Sequence, residues 1–451
     1  MVRLRQVIDR VRHRLLVIPV VVVMAGSVLS QVMLAIDRWV DAEKIPRILI
    51  TTVDSGRSIL TALAGGLITS VTLLLSMMLV AVQLASSQFS PRTVRNWIDD
   101  RTQQTAIGLV LGTTIYCLLI LRETRSFGDG DQLTPHLSIL LALLLGVLSL
   151  IAVVRSVDLL TNRLRVGSVA SGIMNETLAV VEVERQLRAV ENPATSPAGR
   201  PAAAERVIDR PPDAVAVTAA TSGWIQQIDE TALFNAIPEG STVHVVAALG
   251  SFVIADTPVL WLWPPPPSNE CLREMQRTIA VGDARTLQQD IGFGIMQMVD
   301  IALRALSPGV NDPNTANDLT MHLGVVILAL WDMPISPTTR SEKGRSMIRH
   351  DLDHADYLRA AFDPIRRYGS GDPEVCSTLI RVLATLHSET KRRELRGPLK
   401  PIEDLVERVI EAVDHSDLSE YDKQVVRQLA SGSFPQLDPA AEPKRPRECC
   451  L

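Results

Sequence analysis

The segment Ser58-Ile-Leu-Thr-Ala-Leu-Ala-Gly-Gly-Leu-Ile-Thr-Ser-Val-Thr-Leu-Leu-Leu-Ser-Met-Met-Leu-Val-Ala-Val-Gln-Leu-Ala-Ser-Ser-Gln-Phe-Ser-Pro91 lies between Arg57 and Arg92 and holds no charged residue. About 20 apolar residues suffice to cross the roughly 30 Å of a bilayer's hydrocarbon core. This run is longer than that, so it reads as a membrane helix that tilts or protrudes. Within it Thr69, Thr72, Ser76, Gln83 and Ser87 recur at helical spacing on one side, near the pair Gly65-Gly66. Small and hydroxylated residues let membrane helices approach closely and hydrogen-bond across the contact. The favoured reading is therefore a helix–helix seam inside a bundle. The sharper reading is a stripe lining a polar path in an oligomer. No spanning segment contains an internal charge, the usual mark of an ion or proton relay.

Three further runs meet the length rule: Leu15 to Ile36, Thr105 to Leu121, and about Leu137 to Val154. The first follows Arg3, Arg5, Arg10, Arg12 and Arg14, as a signal peptide would. Its apolar part is longer than a signal's, and no small-x-small cleavage site follows, so it reads as a retained anchor. Basic residues set orientation. They gather before the first run, at Arg92, Arg95 and Arg101 after the second, and at Arg155, Arg163 and Arg165 after the fourth. Both termini are expected in the cytoplasm of a bacterial inner-membrane protein that crosses the bilayer several times.

These runs account for the composition. Of 451 residues 47% are apolar, 21% charged and 4% aromatic, with a net charge of −5 and a mean hydropathy of +0.18. That excludes a wholly soluble enzyme, a disordered chain and a disulfide scaffold. A many-spanning carrier is excluded because the apolar runs stop near residue 155. Cys117, Cys271, Cys376, Cys449 and Cys450 form no disulfide-like or zinc-like spacing.

The expected fold class is an α-helical membrane protein of four transmembrane helices with a cytoplasmic α+β region. Its parts are a transmembrane domain (1–155), a helical connector (156–191), a Pro/Ala-rich linker (192–213), a small β-rich module (214–267), a mainly helical domain (268–434) and a disordered tail (435–451). The β module rests on short runs such as Ala214-Val-Ala-Val-Thr, Trp224-Ile-Gln-Gln-Ile and Val243-His-Val-Val-Ala, punctuated by Gly223, Gly240 and Gly250. No Lys lies between Lys44 and Lys343. This removes a lysine-linked prosthetic group from the module and also a P-loop, and no cofactor is expected. No catalytic residue is assigned, because no nucleophile–base pair is recognisable. His350 and His354 form His-x-x-x-His without a Glu general base, so they are weak metal candidates and read as a solvated polar helix start.

The densest segment is Gly282 to Trp331. Arg285 to Leu306 reads as one helix with an apolar face of Leu287, Ile291, Ile295, Met298, Ala302 and Leu306. A polar stripe of Asp290, Gln297, Asp300 and Arg304 runs along it, and Asn311-Asp312-Pro313 offers a cap for the next helix. A charge stripe in an apolar helix needs partners. The favoured reading is a structural network. The functional one is a ligand- or ion-binding cluster of Arg285, Asp290, Gln297, Asp300, Arg304, Asn311 and Asp312. Beyond Asp353, amphipathic helices are expected at Tyr357–Arg367, Pro373–Leu386 and Ile402–Val413, with a last one ending near Leu429.

Several strings occur in an order that resembles a bacterial family of predicted membrane proteins of unknown function. They are Asp54-Ser-Gly-Arg-Ser-Ile-Leu, Val82-Gln-Leu-Ala-Ser-Ser-Gln-Phe-Ser-Pro-Arg92, Gly223-Trp-Ile-Gln-Gln-Ile-Asp229, Arg285-Thr-x-x-Gln-Asp290, Asp300-Ile-Ala-Leu-Arg-Ala-Leu-Ser-Pro308, Asn311-Asp-Pro313 and Ala361-Phe-Asp-Pro-Ile-Arg366. The match runs from about residue 50 to 390. Gly56 stands where the family pattern has Ala, and His350 and His354 lie outside that pattern. The resemblance implies an inner-membrane protein with a cytoplasmic domain and carries no activity with it. Three readings follow. The first is an oligomeric, channel- or transport-like protein gated by its cytoplasmic domain. The second is a membrane-anchored binding or regulatory module, and an enzyme ranks third. The expected partners are the lipid bilayer and further copies of the chain. Nucleic acid is not expected, and the identity of any small ligand or ion is open.

Overall fold

The computed structural model describes residues 17–39, 52–88, 101–124, 135–163, 166–191, 210–265, 268–333, 338–349, 352–395 and 398–435. It divides between Ser168 and Val169 into two compact units. The tail beyond Pro435 and nearly all of the linker lie outside the described residues.

The first unit holds α1 (Val17–Trp39), α2 (Val53–Gln88), α3 (Arg101–Glu123) and α4 (His136–Arg163). Each is long and apolar enough to cross a membrane. α3 is the most buried of the four and packs against all the others. α1 reaches it backbone to backbone: a Cβ on Gly26 would lie 2.7 Å from the Gly112 carbonyl oxygen, and one on Gly108 would lie 3.0 Å from the Pro19 Cα. Gly108-Leu-Val-Leu-Gly112 is thus a small-xxx-small contact surface of the kind that lets membrane helices approach closely. Leu60, Tyr116, Cys117, Ile120, Ile139 and Ala142 fill the space among α2, α3 and α4.

The second unit opens within α5 (Val166–Glu191) and then builds two sheets. The strands are β1 (Val215–Thr218), β2 (Gly223–Ile228), β3 (Thr242–Val245), β4 (Phe252–Val253), β5 (Pro258–Trp263), β6 (Ile279–Gly282), β7 (Thr338–Glu342) and β8 (Arg345–Arg349). One sheet runs β1-β5-β3-β8-β7 and the other β4-β2-β6. All pairs are antiparallel except β3 with β8, where Val243 faces Met347. Short helices α6 (Glu230–Ala236) and α7 (Asn269–Arg277) flank the strands. The shared core includes Ile225, Leu233, Val243, Leu260, Leu262 and Met275.

Three of these strands lie beyond residue 267, where the sequence reading ended the β module. β6 follows α7 after Thr278 alone, with no turn signal to set it apart, and the β7–β8 hairpin is polar. Its signal is the turn at Lys343-Gly344, with φ of 51° and 74°, the positive pair that a two-residue hairpin turn demands.

The remaining helices are α8 (Ile291–Ala305), α9 (Pro313–Leu330), α10 (His354–Gly369), α11 (Pro373–Arg392), α12 (Leu399–Asp414) and α13 (Glu420–Ser433). Their starts are written in the chain. Asp290, Asp312, Asp353, Asp372 and Ser419 each accept a backbone N–H from the first turn. Pro313 and Pro373 follow the cap, where a missing N–H costs nothing. The helix read from Arg285 begins instead at Ile291, because the Asp290 carboxylate caps it and holds Arg285 in the preceding loop.

Candidate functional site

On α2 the residues Leu60, Ala64, Leu67, Val71, Leu74 and Ala81 are buried against the bundle. At about 100° per residue, Gly65, Thr69, Thr72, Ser76 and Gln83 fall on the opposite side. The structure agrees: these five are exposed, and a Cβ added to Gly65 or Gly66 would meet nothing within 4 Å. Each hydroxyl is satisfied by its own helix: Thr69 Oγ1 donates to the Gly65 carbonyl at 3.0 Å, Thr72 Oγ1 to Ile68 at 3.0 Å, and Ser76 Oγ to Thr72 at 2.9 Å. The side chain of Ser87 lies outside the described residues. The stripe is therefore no seam within its own bundle.

That seam lies between α3 and α4. Thr113 and Ser149 hydroxyls meet at 3.0 Å, Tyr116 donates to the Ser138 carbonyl at 3.0 Å, and Gln103 and Ser156 face each other at 3.4 Å. At one end Asp37 of α1 accepts the Leu137 and Ser138 backbone N–H groups, both at 3.0 Å, and so caps α4.

In the second unit the proposed polar stripe separates into two ends. Arg285 grips Asp290 through two hydrogen bonds of 2.7 and 2.8 Å, with its guanidinium over Phe293 and Trp224. Gln289 pairs like a strand with Ile228, accepting its N–H at 3.0 Å and donating to its carbonyl at 3.3 Å. The Arg-Thr-x-x-Gln-Asp string thus closes the loop between β6 and α8. Gln297 is buried midway along α8, Asp300 is half-buried and Arg304 is exposed. Asp290 and Arg304 stand about 20 Å apart at 1.5 Å per residue. Asn311, at φ 46°, makes the turn that lets Asp312 cap α9 through the Thr315 N–H. The structure does not bring these residues to one point.

It does bring together residues that the sequence reading passed over. Glu184 and Arg188 of α5, Arg349 at the end of β8 and Glu230 at the start of α6 form one cluster. Glu184 accepts from Arg188 at 2.9 Å and from Arg349 at 2.8 Å, and Arg349 also pairs with Glu230. Glu184, Arg188 and Arg349 are 6%, 6% and 5% exposed. Burial pushes the Glu184 carboxyl up, but the two guanidinium groups outweigh it and hold it below the usual carboxylate range. The visible signal was Glu184-x-x-x-Arg188, acid four before base. Nothing in the sequence pointed from it to Arg349.

His354 is buried against Trp331, ring centroids 5.0 Å apart, which corrects its reading as a solvated residue. Burial lowers its pKa against the opposing pull of the Leu330 and Met333 carbonyls and Asp353. His350 lies outside the described residues. Among the described residues no three His, Cys, Asp or Glu side chains are grouped to hold a metal ion.

Four long apolar helices and a separate, mainly helical unit that contains two sheets define an α-helical membrane protein with an α+β C-terminal part. The chain belongs to the family described as "Predicted membrane protein (DUF2254)", whose model matches residues 12–385. It is 30% identical over 349 residues to an uncharacterised protein of Mycobacterium tuberculosis (strain CDC 1551 / Oshkosh), covering 74% of this chain. An uncharacterised protein of Mycobacterium bovis (strain ATCC BAA-935 / AF2122/97) is 29% identical over 348 residues, again over 74% of this chain. The chain spans 64% of the length of these two relatives. No solved structure matches it.

Proposed function

We propose that copies of this chain assemble in the bacterial inner membrane through the outer face of α2, and that the assembly forms or gates a polar path. One observation carries the reading: the stripe of Gly65, Thr69, Thr72, Ser76 and Gln83 points away from its own bundle. A Gln amide and a row of hydroxyl oxygens gain nothing from lipid tails. Against a second α2 they gain close packing and hydrogen bonds. The C-terminal unit then serves on the cytoplasmic side as the sensing or assembly part, in keeping with the basic residues that precede α1 and follow α4.

Planar-bilayer recording of the purified protein, with its oligomeric state measured in parallel, tests this. Wild type is expected to conduct as an oligomer, and the triple change of Thr69, Ser76 and Gln83 to Leu to abolish both. A monomeric wild type without conductance sinks the proposal. An oligomer that never conducts leaves the second reading, a membrane-anchored regulatory module. That reading draws on the second unit's possession of a complete core of its own.

A further inference from the structure

α5 follows α4 in the chain after residues 164 and 165 alone. Along its length it engages successive elements. Ser171 Oγ lies 3.1 Å from Nε2 of His322 on α9. Gly294 of α8 sits so close to Thr177 that a Cβ there would collide with it. At the far end Glu184 meets Arg349 of β8, which in turn holds Glu230 of α6. The last contact differs in kind from the others. Apolar and van der Waals contacts loosen by degrees, whereas a carboxylate between two buried guanidinium groups cannot be drawn apart without leaving bare charge in a poorly solvated place. Such a contact favours two arrangements, closed and dry or parted and wet.

We infer that Arg349 is a latch that holds the C-terminal half of α5 on the sheet, and that its release, which frees that half as one step, is a gating step of the second unit. The gating purpose rests on the function proposed above; the latch itself does not. Arg349 acts as a positioning residue. It ends β8, whose neighbours β3 and β7 fix the strand on both sides, so the charge is presented from a rigid edge to a helix that can leave.

Hydrogen–deuterium exchange on the full chain in nanodiscs tests it. In Arg349→Gln, amides of residues 178–190 are expected to exchange about tenfold faster, while α11 and α12 keep their wild-type protection. Adding Glu184→Gln and Arg188→Gln together is expected to recover part of that protection, since amides leave no bare charge between α5 and β8. If Arg349→Gln fails to fold, Glu230→Gln removes only one arm and is expected to give about threefold. Unchanged exchange in α5, or equal loosening of the whole unit, overturns the latch. These readouts need no conductance, so an intact latch in a protein that never conducts overturns only the path.

Discussion

The two units satisfy their buried polar groups in opposite ways. In the bundle, the described contacts between α3 and α4 join uncharged hydroxyl, amide and carbonyl groups, and α1 reaches α3 through bare glycine backbone. In the second unit, Glu184, Arg349 and Asp290 are buried as ions, each held by an opposite charge. The solvent explains the contrast. Lipid tails are as apolar as Leu, so helices in lipid gain little from burying it and rely on close approach and short polar bonds. Water drives Ile, Leu and Val into the core of the second unit at about 25 cal/mol per Å², and the surrounding core then holds charges that are paired. The outer face of α2 breaks the bundle's pattern, with hydroxyls directed where lipid would otherwise lie.

The largest effect that would sharpen this contrast lies at the glycine contact. In Gly112→Leu the new Cβ starts 3.0 Å from the Val22 carbonyl oxygen, and backbone cannot move aside as a side chain can. The variant is expected to lose about 3 kcal/mol of bundle stability, read by SDS titration of the full chain in micelles. Gly65→Leu, which meets open space, is expected to lose less than a third of that. Equal losses would mean that close approach is not what binds α1 to α3.

Much of this was legible in the chain, and the limits have physical causes. Four charge-free runs long enough for membrane helices announce them, because lipid forbids the alternatives. Helix starts in the second unit were readable at Asp312-Pro313 and Asp372-Pro373. The direction of the α2 stripe was not, since periodicity shows that a helix has two faces and not which neighbour each one meets. The Gly108/Gly112 contact could have been found from its spacing. The latch could not, because Arg349 and Glu184 are 165 residues apart, one at the end of a strand and the other on a helix. The Arg285-to-Asp290 string closes the loop between β6 and α8, a role its spacing alone does not reveal.

A smaller effect separates the units by pH. His354 and His387 both have pKa values lowered from 6.5, chiefly by burial. In that case the unfolded chain binds more protons below pH 6.5, and stability falls as pH drops through 6.5 toward the lowered values. Glu184 is depressed below its ordinary 4.5, so its contribution is complete above that pH and is lost only as pH falls below it. Melting of the second unit is therefore expected at lower temperature at pH 5.5 than at pH 7.5, with SDS unfolding of the bundle unchanged. His354→Phe should flatten the slope. A slope that survives this change and His387→Phe together would place its origin elsewhere.

The smallest effect distinguishes the two faces of the bundle directly. Thr113 and Thr69 are both helical threonines on apolar helices, and Val replaces either with nearly the same shape. Thr113 reaches Ser149 on α4, whereas Thr69 bonds only its own Gly65 carbonyl. Thr113→Val is thus expected to cost about 0.6 kcal/mol in the unfolding of a single chain and to leave assembly unchanged. Thr69→Val should leave single-chain unfolding unchanged and weaken assembly, measured by sedimentation in detergent, because its hydrogen is given to Gly65 and its oxygen lone pairs face a donor on another copy. Should Thr69→Val destabilise the single chain as much as Thr113→Val, or leave assembly intact, the outer stripe would be an ordinary lipid-facing surface. Its hydroxyls would then be satisfied by their own helix and serve nothing further.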